Sequence, residues 1–491
     1  MSKKRNISRR SFLGEASCAA LGSTAFLSSV LNLGVINTLS ARPHILSNNE
    51  DYKAMVCILL AGGADSFNML VPTDASEFTA YQNIRADLAL SQDNLTTITP
   101  SNTGGKVFGI HNGFTNADPN ATSVKTLFDN NRLAFLSNVG TLIEPLANKT
   151  EVYSGNKRLP LGLYSHADQI MQWQTSVPQS RSAVGVGGRI ADILNDMQTL
   201  SGVSMNISLD GKNRFQAGNQ VIEFSIPNNA TPDNLGVESV VPWWGNSGFV
   251  SQLRDQTVNN LVEDVYSNIF QDTYGSLTRQ TIESIDLFKA SLAKKPNVNT
   301  NFSESRLSQD MRMMAEVISV RNELGNNRQI FFTTFGGWDH HDEVLNNQDR
   351  MIPILGNALA EFQDALEELG LADKVVTFTI SDFGRTLTSN GNGSDHAWGG
   401  NQIIMGGMVD GGKIFGTYPN FDLDDPLNLD ERGRFIPTTS VDEFYAELAL
   451  WFGVSPNDLD YILPNLCNFY SSPASCPQPV PTNYAPIGMF V

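Results

Sequence analysis

The chain has 491 residues, six of them histidine, with 41% hydrophobic and 17% charged residues and a formal net charge of −18. That hydrophobic share describes a globular protein and excludes a disordered one; the length is large for one core, although big α/β enzymes stay single. The charge argues against sequence-independent nucleic-acid binding, because no surplus of Lys and Arg is present to displace counterions from phosphates.

The first residues read as an address. Lys3, Lys4, Arg5, Arg9 and Arg10 precede an apolar stretch that begins at Phe12, and Ser8-Arg9-Arg10-Ser11-Phe12-Leu13 has the form of a twin-arginine export signal. Glu15, Ser17 and Gly22 interrupt the apolar stretch. That weakens the rival reading of a permanent anchor, which needs about 20 predominantly apolar residues. The expectation is a signal over residues 1–41, export to the periplasm or beyond, and no stable membrane span after its removal. Cys467 and Cys476 are close in sequence, so they are expected either as a local disulfide in an oxidising compartment or as two free thiols. Cys57 lies in an apolar run and reads as core.

Past the signal, strand-like and helix-like stretches alternate. Ala54 to Leu60 is a continuous apolar run ending at Gly62-Gly63, which reads as a buried parallel strand. Leu133 to Val139, Gln329 to Phe335 and Lys374 to Ile380 repeat that pattern. Residues 201–245 carry short alternating segments with Asn and Gly turns, expected as a β-rich insertion. Ser303 to Leu324 reads as an amphipathic helix whose Leu307, Met311, Met314 and Ile318 face the core. Leu355, Leu359, Phe362, Leu366 and Leu369 step by three and four, and Gly370 follows as a stop, so a second helix joins the third and fourth strands. Gln402 to Gly406 and Lys413 to Phe415 read as a hairpin or strand pair, and Val441 to Phe452 as a last helix. The α/β domain spans 52–470; residues 471–491, with five prolines, form an extended tail that lies on the body or is disordered.

Four Asp/His clusters stand next to strand ends: Gly62-Gly63-Ala64-Asp65, Gly336-Gly337-Trp338-Asp339-His340-His341, Ser381-Asp382-Phe383-Gly384-Arg385 and Ser394-Asp395-His396. Histidine and carboxylate hold catalytic zinc and related ions, and strand ends of an open α/β sheet converge in space. Each cluster alone has a bland reading. Asp65 could cap a helix or close a turn. Asp339 and His341, two apart in an extended segment, point to one side and could share an ion, or could lie in a surface loop. Arg385, three residues after Asp382, could clamp an anion or pair with a carboxylate. His396 sits in a Gly-rich loop with no packing reason to be there. Ser165, beside His166, could be a nucleophile activated by a base or metal, or the cap of a helix starting at His166, where anions also bind.

Together, Ala61 to Asn68, Gly336 to His341, Ser381 to Thr386 and Asp395-His396, with Asn131 to Val139 and Ser165-His166, resemble a large family of twin-arginine-exported bacterial proteins of unknown function. That family is placed in the alkaline phosphatase and sulfatase superfamily. The resemblance runs from the signal to roughly Tyr418. It implies an α/β fold: a doubly wound, mainly parallel sheet flanked by helices, with up to two divalent ions. Asp65, Asp382 and the Ser165 hydroxyl would surround one ion; Asp339, His341 and His396 would surround the other. The implied chemistry is attack of Ser165 on a small anionic phosphate or sulfate ester, a covalent intermediate and its hydrolysis. Zinc suits the His and Asp ligands, calcium or magnesium a carboxylate-dominated set. Two departures matter. Phe383 stands where the phosphatases carry His, and the spacing from Asp339 to His341 is shorter than theirs, so one ion is lost or His166 replaces a ligand. The alternative is an exported binding or surface-assembly protein that keeps the fold without catalysis.

Overall fold

A computed structural model describes residues 52–194, 202–232 and 269–491. The expected export signal over 1–41 lies outside the described residues, as do residues 201 and 233–245 of the expected insertion. Among the described residues no helix is long and apolar enough to cross a membrane.

The strands are β1 (Lys53–Ala61), β2 (Leu70–Pro72), β3 (Leu95–Ile98), β4 (Phe108–His111), β5 (Leu133–Gly140), β6 (Asn206–Ser208), β7 (Phe224–Ser225), β8 (Arg328–Gly336), β9 (Val375–Ser381), β10 (Gly400–Met405), β11 (Ile414–Gly416) and β12 (Thr439–Ser440). Nine of them form one sheet in the order β11-β5-β10-β9-β1-β8-β6-β7, with β12 also on β5; β2, β4 and β3 make a small antiparallel sheet. In the large sheet every pairing is parallel except those of β10, which runs against both β5 and β9.

The four apolar runs become β1, β5, β8 and β9, and alternation along β1 shows why they must be apolar throughout. Ala54, Val56, Ile58 and Leu60 join one buried cluster, and Met55, Cys57 and Leu59 join another. The first face is covered by α4 (Arg306–Ser319) and α5 (Val344–Glu368), and the second by α3 (Val186–Leu194) and α6 (Val441–Phe452). Helices on both faces of a mainly parallel sheet leave neither face of a central strand for water, so period-two polarity disappears. Each large aliphatic side chain so buried contributes roughly 1.5–3 kcal/mol. Helix α6 is bounded as its sequence asks, with a Ser440/Glu443 capping box and Gly453 in a left-handed conformation after its end.

The structure refines several expectations. The segments at 402–406 and 413–415 do not pair with each other: β10 and β11 lie on opposite edges of β5. Within the described part of the 201–245 insertion, β6 and β7 extend the edge of the main sheet beside β8. The helix expected over Ser303 to Leu324 breaks at Val320, and a separate turn covers Arg321–Leu324. The helix expected between the third and fourth strands is present and stops before Gly370; it begins at Val344, eleven residues before its apolar stripe, and carries Pro353 inside it.

The tail is docked. Cys467 and Cys476 are disulfide-bonded, Phe490 bridges to Val409, and Met489 is fully buried.

Candidate metal centre

Register fixes where the clusters meet. Ala61 is level with Gly336, and Leu60 with Ser381, so the segments after β1, β8 and β9 leave the sheet at one edge. The fourth cluster reaches that edge differently. Asp395 and His396 precede β10, and because β10 is antiparallel its start, at Gly400, lies level with Val139 at the carboxyl end of β5. Glycines let these turns touch. A Cβ on Gly62, whose φ is +121°, would lie 2.4 Å from the Asp339 amide nitrogen; one on Gly63 would lie 2.4 Å from the Phe383 ring.

A fifth segment completes the site. Helix α2 (His166–Thr175) is capped by Ser165, whose hydroxyl oxygen accepts from the Asp168 amide at 3.5 Å. Tyr164 before it has a φ of +70°, uncommon for a residue with a side chain. Its amide donates to Gln169, and its carbonyl faces His396.

Three imidazoles converge on Asp339. Asp339 Oδ1 lies 3.5 Å from His166 Nε2, 3.1 Å from His341 Nε2 and 3.5 Å from His396 Nε2. His396 Nε2 is itself 3.1 Å from His166 Nε2 and 2.8 Å from His341 Nε2. Every outward ring nitrogen meets an acceptor: His166 Nδ1 meets Asp382 Oδ2 at 2.6 Å, His341 Nδ1 meets Asp395 Oδ1 at 3.1 Å, and His396 Nδ1 meets the Tyr164 carbonyl at 2.8 Å. An acceptor at Nδ1 assigns the ring proton there and leaves Nε2 as a lone pair. With the rings neutral, three nitrogen lone pairs and a carboxylate oxygen face one another within a few ångströms, an arrangement that a cation among them would stabilise. The donor set fits a divalent ion. His166, Asp339 and His396 offer ligand atoms that all lie within 4.8 Å of one another.

Charges around the centre favour this state. Burial pushes the His396 pKa down; the Tyr164 carbonyl opposes that, while Arg385, His166 and His341 add to it, so the ring resists protonation. Burial would raise Asp339, but the Arg385 guanidinium on its carboxylate, with His166 and His341, holds it below the usual carboxylate range. The Phe383 ring packs against the imidazoles, 4.8 Å from His166 and 4.6 Å from His396 between centroids. The centre opens to solvent, with the Asp339 side chain 47% and that of His341 44% exposed.

The expected residues thus divide. Asp339, His341 and His396 come together, and His166, expected beside the nucleophile, points its Nε2 into the same group. Asp382 touches His166 while its other oxygen accepts from the Gly62 amide at 3.0 Å. Asp65 is turned elsewhere: its carboxylate pairs with Arg85, accepts from Ser394 at 2.9 Å and from the Phe67 amide at 3.3 Å. Arg385 is fully buried, donating to the carbonyls of Gly63 and Ser394 at 2.7 and 2.8 Å and to that of Gly62, besides Asp339. Its donors are taken, so it does not reach out as a substrate clamp. Ser165 is seen as a helix cap. Sequence reasoning missed the Tyr164 carbonyl and Arg85; a backbone oxygen leaves no residue-type signal, and Arg85 lies in a helix 20 residues from its partner.

Residues 241–457 match a family described as "Protein of unknown function (DUF1501)". The match covers less than half of the chain. No curated protein matches it. Among solved structures, similarity is found to Ps i-CgsB in complex with k-i-k-neocarrahexaose, at 10% identity and a TM-score of 0.29 over 84% of this chain and 74% of that one. A mutant of the alkaline phosphatase PafA matches at 11% identity and 0.28 over 70% and 64%. The lipoteichoic acid synthase LtaP from Listeria monocytogenes matches at 9% identity and 0.27 over 81% and 78%. Scores of this size establish no shared activity, and the site stands on its own geometry.

Proposed function

We propose that the chain is an exported, metal-dependent hydrolase of small anionic phosphate or sulfate esters. The observation that carries this reading is the convergence of three Nε2 lone pairs on Asp339 Oδ1 at a solvent-open sheet edge. His166, His341, His396 and Asp339 would hold the ion. A histidine-rich set favours zinc over calcium or magnesium, which take oxygen ligands. When bound, a divalent ion supplies Lewis-acid polarisation of a phosphoryl or sulfuryl oxygen.

Ser165 is the candidate nucleophile. Its hydroxyl oxygen accepts a long bond from the Asp168 amide and the hydroxyl also bonds the Asp168 carboxylate, and the start of α2 favours the negative charge of the ester. Attack by the serine oxygen on phosphorus or sulfur would release the alcohol with the serine's proton; water would then split the seryl ester, returning serine and freeing phosphate or sulfate.

Elemental analysis of the purified protein, beside a variant carrying Asp339→Ala and His396→Ala, tests this, together with hydrolysis of aryl phosphates and aryl sulfates. Near-stoichiometric metal and ester hydrolysis in the parent, both lost in the variant, are expected. Absence of metal after reconstitution overturns the reading. Bound metal with no hydrolysis of either ester class favours the non-catalytic binding protein instead.

A further inference from the structure

We infer that the centre holds one ion, not two, and that Asp395 is a positioning residue that sets the His341 ring for it. The inference rests on the metal-site part of the reading above.

A second ion needs carboxylate oxygens that are free to turn toward it, and the structure has committed them. Asp382 gives one oxygen to His166 Nδ1 and the other to the Gly62 amide. Both oxygens of Asp65 are engaged, and its charge is matched by a guanidinium with no solvent exposure on either side. These two carboxylates therefore sit behind the centre, one steering His166 and the other serving as a structural anion.

Asp395 has the same outer place behind His341. Its Oδ1 meets His341 Nδ1 at 3.1 Å and accepts from Asn390 Nδ2 at 3.0 Å, and Arg432 grips Oδ2. Its own amide donates to Thr386 Oγ1 at 3.0 Å. Held from these sides, the carboxylate cannot swing inward, but it fixes both the proton and the orientation of the ring. That matters most for His341, the most exposed of the three rings at 44%, against 32% for His166 and 24% for His396. Buried neighbours restrain the other two; His341 has less packing to hold it. Partners that hydrogen-bond the far nitrogen of a ligand histidine fix its tautomer and direction, and their loss typically costs 10–100-fold in metal affinity.

The test is titration of the metal-stripped full chain with Zn2+ by calorimetry and with Co2+ by visible absorption, in the parent and in Asp395→Ala and Asp395→Asn. One equivalent is expected in the parent, with affinity lowered roughly 10–100-fold in Asp395→Ala and a changed Co2+ spectrum. Asp395→Asn, which keeps the side-chain volume, should fall between them and carries the test if circular dichroism shows the alanine variant unfolded. Two equivalents of similar affinity, or an Asp395→Ala protein with the parent's affinity and spectrum, overturn the inference. The failures are separable: one equivalent with the Asp395 effect but no ester hydrolysis sinks only the hydrolase reading, two equivalents sink only this one, and no metal sinks both.

Discussion

Asp65 and Arg85 form an ion pair at 2.8 Å with neither side chain exposed to solvent. Arg85 closes α1 (Ala75–Arg85) and also donates to the Thr386 and Leu387 carbonyls at 3.1 and 3.3 Å, so one guanidinium joins the loops after β1 and β9. Removing one partner of a buried pair leaves an uncompensated charge, which costs about 3–5 kcal/mol, whereas apolar replacement of both is often neutral. Arg85→Met is therefore expected to destabilise by roughly that amount in urea unfolding, and adding Asp65→Leu should restore part of the loss. A single variant as stable as the parent would mean that the pair does not join these loops.

The approach of Gly62 to the Asp339 backbone makes a different prediction, about the site more than the fold. An added Cβ would press on main chain that cannot rotate away, at a φ that side chains rarely adopt. Gly62→Ala should push the Asp339 turn outward and lower metal affinity more than tenfold, about 1.4 kcal/mol or more, read by competition with a chelator. Unchanged affinity in the folded variant would show that the turn can yield without moving the ligand.

The central strands were legible because burial on both faces enforces unbroken apolar runs, and α6 because its capping box and terminal glycine are local signals. The first half of α5 was not. Asn346, Asn347, Gln348, Asp349 and Arg350 carry no apolar stripe, and Pro353 interrupts the pattern, so only tertiary packing makes this stretch helical. The candidate site was half legible. Asp339, His341 and His396 could be named from their loops, but the fate of Asp65 depended on Arg85, which only folding brings beside it. The position of His166 could be named, but its role as a ligand was legible only as one alternative, drawn from Phe383 standing where the phosphatases carry His, since adjacency to Ser165 says nothing about where the ring points.

The histidines set an expected pH dependence for the metal-stripped protein. Burial lowers the His340 pKa below 6.5, with Asp65 opposing, and burial likewise lowers His111, with Asp349 opposing. His396 shifts the same way. With the folded-state pKa below the unfolded one, the unfolded chain binds more protons in the window between them. Stability is thus complete above the unfolded value of about 6.5 and lost as pH falls from there toward the folded values. Buried Asp442, pushed up to about 7 by burial, acts the other way in this window, so the test is a difference: the gain in thermal midpoint from about pH 5.5 to 7.5 should be smaller in His340→Leu than in the parent, whatever its absolute stability. An equal slope in the variant would remove His340 from this account.

The docked tail offers the last test, at a carboxylate away from the histidines. Glu447, buried on α6, accepts from the Gly488 and Met489 amides at 2.7 Å each and from the Ile487 amide. Beside this grip Phe490 stacks on Trp451, with ring centroids 5.6 Å apart. Three amides on one carboxylate are charge-assisted bonds, and an uncharged amide side chain cannot replace them: Gln offers one oxygen and turns a donor toward a donor. Glu447→Gln should cost about 1.5–3 kcal/mol and speed hydrogen exchange at Ile487 to Met489. Metal content should stay that of the parent, because α6 supplies none of the four proposed ligands. Exchange at those amides as slow as in the parent would mean that the disulfide and Phe490 hold the tail without Glu447.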